Sequence, residues 1–414
     1  MPATLAPFRS RNYSILWGAS LVSNVGTWME VVALGSLVAR TTGKASAVAL
    51  VAAAAFLPSA VFSPLGGAIS DRVDRHRFLL ATLGGETFFA ALLCVAVGTG
   101  VRRPAVLSAI VFAESCVSAL ALPNRQSMMP DLVPPEHLLA AISLSSAAWN
   151  GGRVLGPLLA APLVAAFGPA GAFGVNAVSF AVMLVAVLFL RLPARAPADT
   201  SESVLHRLRA GVGVARTVPG IRTALVTISV MAFTAAPFIG LLPIVARAVF
   251  KGGTPTTSAF VTAQGIGAVI GALALPKLAA RHGRAFMLMV SMATIVGALL
   301  LYGATRSTLV ATVAIGIVGA GYFATMIGWQ TVLQLSSPPE MRARVVSLFS
   351  IALGLPYVFG LAVQGPLADR IGLRAVMLGG PTAFAVGLLA MRLRSPGWAQ
   401  SLEPAPQPVP RQAR

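Results

Sequence analysis

Long apolar runs alternate with short polar breaks along almost the whole chain. Each run holds roughly 20 or more residues, which is enough for an α-helix to cross a bilayer. The breaks are clusters of Arg, Pro, Gly and Asp, the residue types that end helices or stay in water. Twelve membrane spans are predicted at residues 13–40, 46–68, 78–100, 104–130, 137–166, 170–191, 219–249, 256–280, 285–304, 307–335, 340–366 and 373–393.

Composition agrees with this pattern. Of the 414 residues, 56% are hydrophobic and only 10% are charged, far too apolar a balance for a soluble chain of this length. The predicted fold class is an all-α membrane protein of twelve helices. The predicted units are an N-terminus, a six-helix lobe, a linker, a second six-helix lobe and a tail, at residues 1–12, 13–191, 192–218, 219–393 and 394–414.

The net charge of +19 does not indicate nucleic acid, because the arginines lie at the ends of spans and do not alternate with stacking aromatic residues. With both termini inside, 21 of the 31 Lys and Arg residues lie on the cytoplasmic side and nine lie outside. This asymmetry predicts a multi-pass protein of the inner (plasma) membrane with cytoplasmic termini.

The linker at 192–218 begins with Pro, Ala and Asp residues and continues as a short amphipathic stretch. Leu205, Leu208 and Val212 lie opposite Arg207 and Arg209 on a helical projection, so we expect a helix on the anionic inner leaflet. The tail is polar and rich in proline, a composition typical of disorder.

The two halves of the chain repeat one another at an offset of about 204 residues. The strongest match pairs Pro134-Pro135-Glu136 with Pro338-Pro339-Glu340, ahead of further identities such as Gly156 with Gly360. This spacing predicts a duplication with two related lobes.

A charged loop lies between the second and third spans. It carries a glycine, an acid and several arginines: Gly67, Asp71, Arg72, Arg75 and Arg77. One interpretation is an ordinary loop that only fixes topology, since every polytopic protein needs cytoplasmic arginines. The other is a conformational switch.

The spacing G-x-x-x-D-R-x-x-x-x-R in this loop resembles the signature of major facilitator superfamily transporters. Asp74 and His76 depart from the usual glycine and basic residue, as in the branch of the enterobactin exporter and the macrolide efflux proteins, the transmembrane secretion effectors. The resemblance covers residues 10–393. It implies that Asp71 faces the N-terminus of span 11 and favours the outward-facing state when the cytoplasmic side closes.

Charges inside spans are costly in lipid and therefore mark protein contacts or water-filled cavities. Glu30, Glu114 and Arg153 are candidates for proton coupling, and Glu114 and Arg153 are predicted at similar mid-membrane depth, where they could pair. Burial favours the neutral acid and a nearby guanidinium favours the carboxylate, so such an acid can bind and release a proton. A static ion pair is the alternative. For Glu86 we expect a structural partner.

Span 5 carries Gly152, Gly156 and Pro157, a run that resembles the G-x-x-x-G-P motif of drug and proton antiporters. Small residues at this spacing permit close helix contact, and proline bends the helix. The resemblance favours export over import. Span 4, however, lacks the arginine that such antiporters usually carry.

An aromatic, weakly polar wall suits amphipathic substrates better than sugars, which need many hydrogen bonds. Simple packing between the lobes is the equal alternative for each residue. The candidates for this wall are Asn24, Thr27, Trp28, Phe233, Phe238, Tyr322, Met326 and Gln330.

The sequence contains no enzyme motif, metal spacing or nucleotide-binding loop, so we expect no catalytic residue and no cofactor. The predicted function is secondary active transport, with proton-coupled efflux of an amphipathic drug, siderophore or secondary metabolite. The expected partners are a small molecule, protons and membrane lipids but not nucleic acid, and we expect a monomer. An importer of the same fold and a receptor or scaffold that does not cycle remain as alternatives.

Overall fold

The computed structural model describes residues 3–70, 73–190, 204–338 and 341–394, and every regular element in these ranges is helical. A 3₁₀ helix at Ala3–Arg9 precedes the first long helix. The first half of the chain forms α1 (Arg11–Thr42), α2 (Ala45–Ser70), α3 (Arg75–Gly98), α4 (Pro104–Ser127), the short α5 (Met129–Leu132) and α6 (Leu138–Leu188).

The second half begins with a short helix that lies within the predicted linker. Its helices are α7 (Val204–Thr217), α8 (Pro219–Thr234), α9 (Phe238–Ala248), α10 (Thr254–His282), α11 (Arg284–Ala304), α12 (Thr308–Ser336), α13 (Arg342–Ile371) and α14 (Leu373–Arg394). The predicted span boundaries differ from these helix ends by at most five residues, apart from two breaks described below.

Eleven segments of the described chain are long and apolar enough to cross a membrane. One of them, Pro135–Leu188, is broken at Gly168, whose φ of 69° lies in the region that glycine adopts without strain. The pieces 138–167 and 169–188 each approach or exceed the ~30 Å of a hydrocarbon core at 1.5 Å per residue. Predicted spans 5 and 6 are these two pieces, and they count as one of the eleven segments.

Local sequence explains where several helices begin and end. The hydroxyl of Ser10 caps α1 by accepting the backbone N–H of Tyr13, and the carboxylate of Asp74 caps α3 by accepting that of Arg77. Gly43 ends α1 in the left-handed conformation, with a φ of 64°.

Helix contacts within the first half recur in the second half. In the first half, α2 packs against α4, and α3 packs against α4 and α6. In the second half, α10 packs against α12, and α11 packs against α12 and α14. These are the equivalent helices under the sequence repeat, so we refer below to a first lobe (α1 to α6) and a second lobe (α8 to α14).

The lobes meet through α2 against α13, α6 against α10, and α1 against α9. Glycines permit this contact: a Cβ atom at Gly35 would lie 2.6 Å from the ring of Pro243, and one at Gly240 would lie 2.8 Å from the Cβ of Ala52. Any larger side chain at these positions would force the lobes apart.

The predicted seventh span is interrupted between α8 and α9, which the sequence pattern did not predict. Gln364 on α13 donates its amide N–H groups to the carbonyl oxygens of Phe233 and Thr234, both at 2.9 Å. Backbone carbonyls freed at membrane depth need such partners because lipid supplies none. α9 contacts α1 and α2, so the second part of this span packs against the first lobe.

α7 lies within the predicted linker, and residues 192–203 lie outside the described residues. α7 packs against α13, and a Cβ atom at Gly211 would lie 3.1 Å from Leu348 and 3.3 Å from the carbonyl oxygen of Arg344. The predicted tail, from Ser395 onward, also lies outside the described residues.

Candidate functional site

Glu30 is the acid on α1 and is only 6% exposed. Its carboxylate accepts a 2.7 Å hydrogen bond from the side-chain amide of Asn176, and Asn176 is held in turn by the hydroxyl of Ser179. Gly26, one turn before Glu30, lets α1 approach α6 closely. A Cβ atom at this position would overlap with the side chains of Asn176 and Ser179. The sequence analysis missed Asn176 and Ser179, although both are polar residues within an apolar run.

Glu114 on α4 is 7% exposed, and its carboxyl group lies close enough to that of Glu30 for the two to interact. Two acids are therefore neighbours in the buried part of the first lobe, on α1 and α4. Like charges at such short range oppose double ionisation.

The predicted ion pair between Glu114 and Arg153 is wrong for the described residues. The guanidinium carbon of Arg153 lies 5.2 Å from the ring centre of Trp28 and 4.8 Å from that of Phe323. Guanidinium groups are weakly hydrated and stack well on aromatic faces, so the cation is held by rings while Glu114 lies beside Glu30.

Arg153 connects the lobes at this point. Trp28 and Arg153 belong to α1 and α6 of the first lobe, whereas Phe323 belongs to α12 of the second. The phenol of Tyr322, also on α12, interacts electrostatically with the guanidinium. Arg153 itself is 5% exposed, so a full positive charge is buried at the lobe interface.

Trp149 extends this aromatic group toward the surface. Its ring meets that of Trp28 edge-on at 5.8 Å, and 45% of the residue is exposed. Trp149 lies one helical turn before Arg153 on α6, so the two residues share a face of this helix.

The glycines predicted in span 5 make the contact that their spacing suggested. A Cβ atom at Gly152 would lie 2.6 Å from the Cβ of Asn24, and one at Gly156 would lie 2.6 Å from the carbonyl oxygen of Val25. α1 and α6 are thus packed backbone to backbone, with Pro157 buried beside the contact. This close packing places Trp28 against Arg153.

The other predicted wall residues are divided between several places. Thr27 donates its hydroxyl to the carbonyl oxygen of Ser23 in its own helix, and Met326 and Gln330 lie half-buried on α12 beyond Tyr322. Phe238 lines a small cavity within the second lobe, next to Tyr302, and Phe233 is partly exposed. Neither phenylalanine is brought to Arg153, because the break between α8 and α9 redirects this span.

Glu86 has the structural partner that the sequence predicted. Its carboxylate is fully buried and lies 3.3 Å from the guanidinium of Arg125 on α4. This ion pair joins α3 to α4 within the first lobe. It leaves Glu30 and Glu114 as the candidates for titration.

The charged loop between α2 and α3 is only partly described. Gly67 lies in α2, Arg75 begins α3, and Arg77 is exposed. Asp71, Arg72 and the Pro339-Glu340 pair lie outside the described residues, so the proposed contact of Asp71 with span 11 stays a prediction.

A different acid links the lobes through a helix N-terminus. The carboxylate of Asp369, near the end of α13, accepts the backbone N–H groups of Ala45 at 2.6 Å and Ser46 at 3.1 Å, where α2 begins. Carboxylates are stabilised at helix N-termini by the unpaired N–H groups and the helix dipole. The sequence held one signal for this link: between residues 204 and 394 only Glu340 and Asp369 are acidic.

Comparison with known proteins identifies the class of protein that these features belong to. Residues 2–412 match the transmembrane secretion effector family, and the chain belongs to this family of major facilitator superfamily transporters. It is 26% identical to the multidrug efflux pump Tap of Mycolicibacterium fortuitum over 87% of this chain and 90% of that one. It is 24% identical to macrolide efflux protein A of Streptococcus pyogenes over 86% and 89%.

Solved structures share the fold. A crystal structure of a point mutant of the nucleoside transporter NupG superposes with a TM-score of 0.78 at 12% identity, covering 92% of this chain and 99% of that one. The predicted all-helical membrane fold and the major facilitator resemblance are confirmed. The protein is a multi-pass membrane transporter and not an enzyme.

Proposed function

We propose that this protein exports amphipathic small molecules across the plasma membrane in exchange for protons. The observation that carries the proposal is the neighbouring pair of acids Glu30 and Glu114, buried in the first lobe close to the interface where Arg153 meets Phe323. A buried carboxyl pair favours a bound proton when it is dry and releases the proton when water enters. Two relatives that are named as efflux pumps support the direction.

The proposed orientation has both termini and the 192–218 linker in the cytoplasm, supported by the excess of cytoplasmic arginine. In this orientation, the contact between Asp369 and the start of α2 lies at the outer surface. The structure then corresponds to a state closed toward the outside. Transport by alternating access requires that this outer contact opens and that a cytoplasmic contact forms in its place.

The proton steps follow from the geometry of the pair. An outward-open state lets water reach Glu30 or Glu114, and the pair takes a proton from the outer side. After the outer side closes, the cytoplasmic opening lets the proton leave, and substrate then binds from the cytoplasm. Asn176 holds the carboxylate of Glu30 in place through this cycle.

A transport assay with purified protein in proteoliposomes tests this function. The probes are amphipathic dyes of positive, zero and negative charge, with a proton gradient as the only energy source. We expect uphill movement of at least one dye, opposite to the proton flow, and its loss when nigericin collapses the gradient. A gradient that drives none of the dyes, or that drives them along with the protons, would contradict the proposal.

The outer contact gives a prediction about conformation. Asp369→Asn removes the charge at the N-terminus of α2 and keeps the size, so the outer side should open more often. A carboxylate at an exposed helix N-terminus contributes about 0.3–1 kcal/mol, which corresponds to a roughly two- to fivefold shift in population. We expect labelling of Ala49→Cys by an impermeant maleimide to accelerate by this factor, in a background without Cys94 and Cys116.

Ala49 is a suitable reporter because it is buried and lies against Gly365 across the lobe interface. Arg370→Gln is the matched control, since it changes the charge of the adjacent exposed residue and leaves both hydrogen bonds of Asp369 intact. Equal labelling in Asp369→Asn and Arg370→Gln would show that the contact does not hold the outer side closed.

A further inference from the structure

Two buried hydrogen-bond donors at the lobe interface have no acceptor among the described residues. They are Nε of Arg153 and the indole Nε1 of Trp28, and both residues are at least nine-tenths buried. A buried donor left without a partner costs about 1–3 kcal/mol, and more when the group is charged. The two donors are in one place, because the guanidinium lies over the indole ring.

The surroundings hold the charge without accepting these hydrogen bonds. Trp28 and Phe323 present ring faces to Arg153, and ring faces attract a cation but offer only weak acceptors. Arg153 has no carboxylate within 4.0 Å in the described ranges. A cation in such a site is complementary to an oxygen anion that enters in the plane of the guanidinium.

The carboxyl pair does not neutralise this cation. Trp28 and Glu30 are two residues apart on α1, which places them about 200° apart around the helix. Glu30 accordingly faces Asn176 and Glu114, whereas Trp28 faces Arg153 and Trp149. The two sites share α1 and have different neighbouring side chains.

We propose that Arg153 and the indole N–H of Trp28 bind the anionic oxygen of the transported molecule, and that this molecule is an aromatic carboxylate. The rings of Trp28, Trp149 and Phe323 supply stacking surfaces, and the exposed ring of Trp149 marks the side of entry. The inference rests on the proposed export function and names its substrate class. The alternative is that Arg153 only ties α6 to α12.

The test compares binding of dansylglycine with binding of dansylglycinamide, which carries the same fluorophore and a neutral amide in place of the carboxylate. Binding to the purified full chain in detergent is read from dansyl emission. We expect the wild type to bind the acid roughly tenfold more tightly than the amide, since hydrogen bonds to charged groups contribute about 1.5–3 kcal/mol.

The Arg153→Gln variant should bind the acid no better than the amide, while its affinity for the amide stays within about twofold of the wild type. Retained amide binding also shows that the variant is folded. Trp28→Phe keeps the ring face and removes only the N–H, so it should weaken acid binding by roughly three- to tenfold. Arg370→Gln, at an exposed site, controls for net charge and should retain the full preference for the acid.

Equal affinity for acid and amide in the wild type, or no acid binding up to millimolar concentration, would overturn the inference. So would a full acid preference in Arg153→Gln. Should Arg153→Gln not purify as a folded protein, an unchanged preference in both Arg153→Lys and Trp28→Phe would overturn it equally. Binding needs no proton gradient, so an acid preference that depends on Arg153 in a protein without uphill transport would contradict the export function and leave this inference intact.

Discussion

Glu114→Gln is expected to abolish proton-driven uphill efflux while substrate exchange down a gradient continues. The amide of Gln can donate a hydrogen bond to Glu30 and has nearly the shape of the acid, but it cannot bind or release a proton. The accumulation ratio set by a proton gradient should fall to unity. Counterflow in proteoliposomes should stay within about threefold of the wild type, because exchange needs no net proton transfer.

Glu30→Gln should show the same loss, because either substitution leaves a single carboxyl group where a pair was. Its exchange rate should fall somewhat further, since Asn176 loses a charged acceptor at 2.7 Å. Glu136→Gln is the matched control: it removes one acid from an exposed loop of the first lobe and should leave both assays unchanged. Full uphill efflux in both Glu30→Gln and Glu114→Gln would remove the pair from the coupling mechanism.

The placement of these acids shows what the sequence could predict. Apolar run length fixes which residues lie within the bilayer, because a charge there is expensive and a helix rises by a constant 1.5 Å per residue. The depth of Glu30, Glu114 and Arg153 was therefore predictable. Their partners were not, because partners depend on how each helix is rotated about its axis.

Rotation about the helix axis is set by close packing. Gly26, Gly152 and Gly156 permit the close approach of α1 to α6, and this approach brings Asn176 to Glu30 and Arg153 to Trp28. The sequence did predict that Gly152 and Gly156 favour such an approach. It did not indicate which side chains would then meet.

The sequence also did not predict where a span is interrupted or which distant residue caps a helix. The gap between α8 and α9 occurs in a continuous apolar run, and it depends on Gln364, which lies on another helix about 130 residues later. Capping of α2 by Asp369 is similarly remote, at 324 residues from Ala45. Local periodicity carries no information about partners at such separations.

The packing role of most glycines also could not be predicted from the sequence. The chain has 40 glycines, and apart from the motif of Gly152 and Gly156 the sequence does not separate those at helix crossings from those that face open space. The structure separates them sharply. A Cβ atom at Gly267 would overlap with the carbonyl oxygen of Gly316, where α10 crosses α12, whereas one at Gly297 on α11 would meet nothing within 4 Å.

Gly267→Ala is accordingly expected to destabilise the second lobe, because backbone atoms on both sides of the crossing leave no flexible group to move and the two helices must separate. Overpacking of this kind costs about 1–3 kcal/mol or more. Gly297→Ala is the matched control and should be neutral or stabilising by roughly 0.5–1 kcal/mol, since alanine favours a helix when its Cβ is free of clashes. The measurement is thermal unfolding of the purified proteins in detergent, followed by tryptophan emission. The buried Trp329 of α12 contributes to this emission. We expect the unfolding midpoint to be several degrees lower for Gly267→Ala alone. Coincident unfolding curves for the two variants would mean that α10 and α12 do not cross as closely as the structure shows.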